Sequence, residues 1–131
     1  MKNLTEVLEK AVSQETMWAV SSFFEILEII DNTDFKISFW EGEENWATIL
    51  KNNVVIGYIW KKYPFISIQS DFFHQITSII NSKSYIYCIE VESLNTELLL
   101  YDKRLLEKYF GREFYQPPLT MEDLWFQTNT D

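Results

Sequence analysis

His74 and Cys88 are the only histidine and the only cysteine in the chain, and together they are the one formal candidate for a nucleophile and base. A reactive thiolate needs an electropositive, partly exposed setting such as a helix N-terminus. Cys88 instead stands between Tyr87 and Ile89 in an apolar stretch, where a free cysteine behaves as a small core hydrophobe. A metal centre needs several His, Cys or carboxylate ligands that converge, and one histidine with one cysteine does not supply them. His74 therefore reads as a surface or boundary residue of a short helix. Paired acids occur at Glu41/Glu43/Glu44, Glu90/Glu92 and Glu122/Asp123. Acid–base catalysis requires two such groups in a cleft with separated pKa values, whereas carboxylates in turns are normally solvated. No glycine-rich phosphate loop, serine elbow or HExxH motif is present. The expectation is a protein with no catalytic residues, no metal and no cofactor.

The same acids make better sense as recognition groups. Trp40 and Trp46 bracket the acidic turn Glu41-Gly42-Glu43-Glu44, Trp60 precedes Lys61-Lys62, and Trp125 with Phe126 follows Glu122-Asp123. Aromatic anchors supply buried contact area, and carboxylates attract and orient a cationic partner. Trp40, Glu41, Glu43, Glu44 and Trp46 form the first candidate surface. The helix acids Glu25, Glu28 and Asp31 and the tail residues Glu122, Asp123 and Trp125 are the second. The competing reading is that the tryptophans pack the ends of an ordinary core. Aromatic platforms for nucleic acid are paired with Lys and Arg, and here that balance is reversed.

Charge points the same way. The net charge of −9 disfavours nucleic acid and anionic membranes and favours a basic partner. Seven acids against two lysines fall in residues 1–34, and four acids against one arginine in residues 112–131, with the middle of the chain near balance. Acid on exposed helix faces also serves solubility alone. No apolar run approaches the roughly 20 residues that span a bilayer, and no signal-peptide pattern is visible. With one unpaired cysteine, the chain is expected to be cytoplasmic.

These groups must be positioned by regular elements, since only three Gly and three Pro occur. Asn3 and Glu6 have the spacing of a capping box. Apolar positions from Leu4 to Ile30 then follow one broad helical face, on which Glu15 and Ser22 are out of place. Either Ser13 breaks and recaps the helix or Glu15 is half-buried. Four strands follow, Phe35–Trp40, Asn45–Leu50, Val54–Trp60 and Phe65–Gln69, joined by short turns that favour an antiparallel meander. At Lys51-Asn52-Asn53 the turn uses Asn, which tolerates positive φ. Val54–Trp60 is apolar almost throughout, as for a strand covered on both faces or carrying a contact surface. Ser70 or Asp71 caps a helix to Ile80, and Tyr85–Val91 is a fifth strand. Leu94–Phe110 is either one helix, or a sixth strand over Glu97–Tyr101 followed by a helix from Asp102 to Gly111. Pro117-Pro118 favours an extended segment, and Thr120 can cap a last turn carrying Leu124, Trp125 and Phe126.

The expected architecture is a single α+β domain, residues 1–131. It has a helical segment over 1–31 packed on one face of a five- or six-stranded, mainly antiparallel sheet over 35–110, with an extended acidic and aromatic tail over 112–131. This pattern resembles the small acidic immunity proteins that neutralise bacterial toxins, including those of contact-dependent growth inhibition. The features that carry the resemblance are the single small α+β domain, the acidic turn Glu41–Glu44 between Trp40 and Trp46, and the tail Met121–Phe126. The resemblance implies a non-enzymatic inhibitor that binds a basic toxin domain, often a nuclease, by protein–protein contact, with no direct nucleic-acid or membrane binding. Two other classes fit the pattern. One is a small-ligand-binding or enzymatic domain whose apolar pocket holds Glu15. The other is a homo-oligomeric adaptor or chaperone using Val54–Trp60 or Leu98–Tyr101 as its interface.

Overall fold

A computed structural model of the chain describes residues 2–3, 20–39, 46–61, 63, 65–80, 86–93, 98–99, 104, 107, 110, 113, 118 and 120–129. The elements in order are β1 (Lys2–Asn3), α1 (Val20–Asp31), β2 (Lys36–Phe39), β3 (Ala47–Lys51), β4 (Val54–Ile59), β5 (Phe65–Gln69), α2 (Ser70–Ile80), β6 (Tyr87–Val91), β7 (Leu98–Leu99) and α3 (Met121–Asn129). The fold is α+β. Among the described residues its main sheet has five strands in sequence order, β2-β3-β4-β5-β6.

Strands β2 to β5 form the expected antiparallel meander. Asn52 and Asn53 make the β3–β4 turn with φ of 52° and 65°, the left-handed conformation that Asn adopts at low cost. The fifth strand departs from expectation. β6 pairs with β5 in parallel, Phe65 opposite Tyr87 and Gln69 opposite Val91, so the sheet is mixed. The cause is α2. An 11-residue helix between two strands carries the chain back to the starting edge, which is how parallel neighbours are connected. Ser70 helps fix that crossover, its hydroxyl donating to the Val91 carbonyl at 3.1 Å.

Of the long helical segment expected over residues 1–31, the described residues carry only the short, 12-residue α1, and Lys2–Asn3 is strand. Residues 4–19, including the Ser13 break and Glu15, lie outside the described residues. Ser22 is buried, as its position on the apolar stripe required. Asn3, expected as a helix cap, lies in β1, which pairs in parallel with β7. Leu98–Leu99 is thus a strand, but it belongs to this separate two-stranded sheet and does not extend the main one. Arg104, Glu107 and Phe110 are helical, in the stretch expected to follow it.

Strand alternation divides the main sheet into two faces. On the first face, Ile49, Ile59, Ile66, Ile68 and Ile86 pack under Phe23, Ile26 and Ile30 of α1 and Ile76 and Ile80 of α2. A register shift between Ile49 and Leu50 inserts one extra residue into β4, and Ile56 joins this core beside Gly57. Gly57 is required there: a Cβ would stand 2.6 Å from the Ser67 carbonyl oxygen and 2.8 Å from Ile68 Cδ1. On the second face, Thr48, Tyr58 and Ser67 stand in register across β3, β4 and β5, and α3 packs against β4. Among the described residues, no helix is long and apolar enough to cross a membrane.

Candidate functional site

The second face carries Trp46, Trp60, Trp125 and Phe126; Trp40 lies outside the described residues. The last helix begins where Thr120 caps it, its hydroxyl accepting the Asp123 N–H at 3.2 Å. The stretch over 121–129 is therefore helix rather than extended tail, because the cap satisfies an amide that an uncapped turn would leave bare. Three hydrogen bonds and one ring contact seat it. The Trp125 indole N–H donates to the Ile59 carbonyl at 3.1 Å, and its ring lies 4.8 Å from that of Tyr58. The Trp60 indole N–H donates to the Thr128 hydroxyl at 2.6 Å, and that hydroxyl donates in turn to the Leu124 carbonyl. The Tyr58 hydroxyl donates to the Glu122 carboxylate at 2.6 Å.

Burial, and secondarily the Glu122 carboxylate, push the Tyr58 phenol well above its ordinary value. The phenol therefore stays protonated and keeps donating, so Glu122 is held as an acceptor in a fixed place. Trp46 braces the same region edge-on, 5.4 Å from the Trp125 ring and 5.0 Å from that of Phe126.

A groove of about 470 Å³ is left between α3 and the strands, lined by Thr48, Val55, Tyr58, Glu122, Asp123, Trp125 and Phe126. Its rim is apolar and open: Phe126 is 45% exposed and Val55 is also exposed. Among the described residues, neither lysine nor arginine lines it, and the Glu122 carboxylate meets only the Tyr58 hydroxyl. Chemically the groove can receive a cation on an apolar stem: rings and methyls for the stem, a fixed carboxylate for the charge.

The sequence candidates are distributed unevenly around this site. Glu122, Asp123 and Trp125 all line it. Trp46 and Trp125 are 9% and 2% exposed; the Trp125 indole forms part of the groove wall, and Trp46 packs against it. Glu25, Glu28 and Asp31 are exposed on α1, against the opposite face of the sheet. The Asp31 carboxylate accepts the Ile37 N–H at 2.9 Å and so ties the end of α1 to the edge strand β2. Trp40, Glu41, Glu43 and Glu44 lie outside the described residues. Thr48, Val55, Tyr58 and Phe126 also line the groove and were not among the candidate site residues, although Phe126 stands in the aromatic tail and Val55 and Tyr58 in the strand read as a possible contact surface. For Val55 and Phe126 the signal was available, since each is a large apolar residue beside a turn or an acidic cap.

The two reactive side chains are elsewhere. Cys88 packs against the aliphatic core, where burial pushes its thiol up to about 12. His74 is exposed on α2 at a shallow depression of about 500 Å³, with Asp34, Lys51, Gln75 and Ser78. The Lys51 ammonium there lies 5.2 Å above the Phe35 ring. Among the described residues, no group of three or more His, Cys, Asp or Glu side chains is placed to hold a metal ion. No family model matches the chain, and neither a curated protein nor a solved structure gives a significant match.

Proposed function

We propose that this protein is a non-enzymatic inhibitor of the immunity type, acting in the cytoplasm by binding a cationic toxin domain such as a nuclease. The observation that supports this most is the groove: a carboxylate fixed by a buried phenol, set among exposed apolar side chains, on a chain of net charge −9. Complementary charge accelerates encounter, and the apolar contacts slow release. Inhibition follows if the bound protein covers the toxin's active site or holds the domain inactive. The acidic turn Glu41–Glu44 and the helix acids Glu25, Glu28 and Asp31 add to the steering field.

Affinity capture with this protein as bait, at low and at high salt, tests the reading. A stoichiometric basic protein retained through moderate salt is the expected outcome. Its affinity and its salt dependence should both fall on charge reversal at Glu41, Glu43 and Glu44. Unchanged affinity in that variant removes the acidic turn from the interface. The groove volume also falls in the range of small-molecule sites. A neutral ligand bound there, with no protein captured, replaces the inhibitor reading with the ligand-binding one.

A further inference from the structure

We infer that the groove between α3 and the β3–β4 face is a receptor for a single arginine side chain projecting from the partner protein. This rests on the inhibitor reading and assigns the chemistry of its central contact.

Four features converge on a guanidinium. The first is the fixed carboxylate. Glu122 Oε2 already accepts the Tyr58 hydrogen. An ionised carboxylate has about four acceptor sites, so its other oxygen remains available for a second donor. The second feature is the ring at the rim. Phe126 is braced edge-on by Trp46 and exposed to solvent. A planar cation can lie against such a ring while hydrogen bonding in its own plane. The third is the apolar lining from Val55 and Trp125, against which an arginine's methylene stem loses water at a gain. The fourth is charge: the groove carries two carboxylates, Glu122 and Asp123, and neither lysine nor arginine lines it among the described residues.

Arginine is favoured over lysine by the same details. An ammonium is compact and strongly hydrated, and entering an apolar groove costs it more than it costs a delocalised guanidinium. An ammonium also lacks the plane that stacks on Phe126.

The test needs no knowledge of the partner. The full-length chain is titrated with the blocked tripeptide acetyl-Ala-Arg-Ala-amide and with its lysine, citrulline and norleucine counterparts. Binding is followed by the NMR methyl signals of Val55 and the ring signals of Phe126. The arginine peptide should shift both, and the lysine peptide should bind more weakly. Glu122→Gln should lower the affinity for the arginine peptide by about tenfold. That variant keeps an acceptor for the Tyr58 hydroxyl and so preserves the wall. Phe126→Ala, at an exposed position, should erase the preference for arginine over lysine. Equal binding of the citrulline or norleucine peptide overturns the proposal, as does undiminished affinity in Glu122→Gln. Shifts confined to His74 also overturn it, by moving the site to the depression on α2. The two readings fail separately. If the arginine peptide binds as expected but no basic protein is captured, the groove stands and the inhibitor reading falls. If a basic protein is captured and Glu122→Gln does not weaken it, the inhibitor reading stands and the groove is not its central contact.

Discussion

The two faces of the sheet solve burial in different ways. The first is closed mainly by aliphatic side chains: isoleucines from β3, β4 and β5 fill the space under α1 and α2, beside Phe23 and Phe35. That core is held by close packing of apolar side chains. The second is closed by rings, and rings with polar edges must be satisfied individually. Trp60, Trp125 and Tyr58 each donate to a named partner. Large rings seated by directional bonds do not tile a surface as isoleucines do, and the groove is the space left over. A core built for density and a core built around polar edges therefore produce a closed face and a grooved one.

The comparison can be broken from either side. The largest effect should come from the aliphatic face. Ile59→Ala removes a fully buried side chain and is expected to cost about 3 kcal/mol in urea denaturation. A loss under about 1 kcal/mol would show that this face is not close-packed. Gly57→Ala follows, at about 2 kcal/mol, because the new methyl meets backbone that a neighbour's rotation cannot relieve. On the ring face, Thr128→Val should cost about 1–2 kcal/mol, since the shape is kept while the Trp60 indole N–H loses its acceptor. Its thermal melt should be accompanied by a shift of the Trp60 indole proton signal.

Alkali loosens both faces, the second through the raised Tyr58 phenol and the first through Cys88. The Cys88 thiol is raised from 9.0 to about 12 in the folded chain. Between those values the unfolded chain has released a proton that the folded chain still holds, so stability falls as pH rises through that window and is intact below it. Cys88→Ala should lose stability less steeply above pH 9.0 than the parent does, and a parallel decline in the two would refute the assignment. The smallest effect is expected for Tyr58→Phe, about 1 kcal/mol. The bond lost there ends on an exposed carboxylate that water can satisfy. That variant sharpens the comparison if Glu122 signals broaden while the isoleucine methyls of the first face do not move.

The sequence was most legible where one side of an element meets water. Alternation at Phe35–Phe39 and the Asn52-Asn53 turn located β2, β3 and β4 within a residue or two. Ser22 was correctly singled out because it broke a helical stripe. The bulge at Ile56 was not legible, since Val54–Trp60 is apolar nearly throughout and one register reads like another. The parallel pairing of β6 was legible in principle: a strand, a helix and a strand in succession form a crossover. The short turns before it argued for a meander, and their pattern was carried one strand too far. The groove depended on Thr128, which reads as part of a polar end yet is only 1% exposed. Its partner Trp60 lies 68 residues earlier, and no local pattern announces a bond over that separation.

That separation sets the order in which the molecule is assembled. The meander closes through turns of a few residues, so β2 to β5 can pair as soon as they exist. The wall that α3 contributes must wait for the chain to loop back across 68 residues onto Trp60. By this measure the ring face closes after the meander, although β1 and β7, which join Lys2 to Leu98, close a longer loop still. Release of α3 alone uncovers Trp46, Tyr58 and Trp60 while the isoleucine core beneath α1 and α2 stays shut. Amide protons of α3 should accordingly exchange through a shallow, partial opening, and those of β4 only through global unfolding. Binding at the groove would slow the first process and leave the second to follow overall stability.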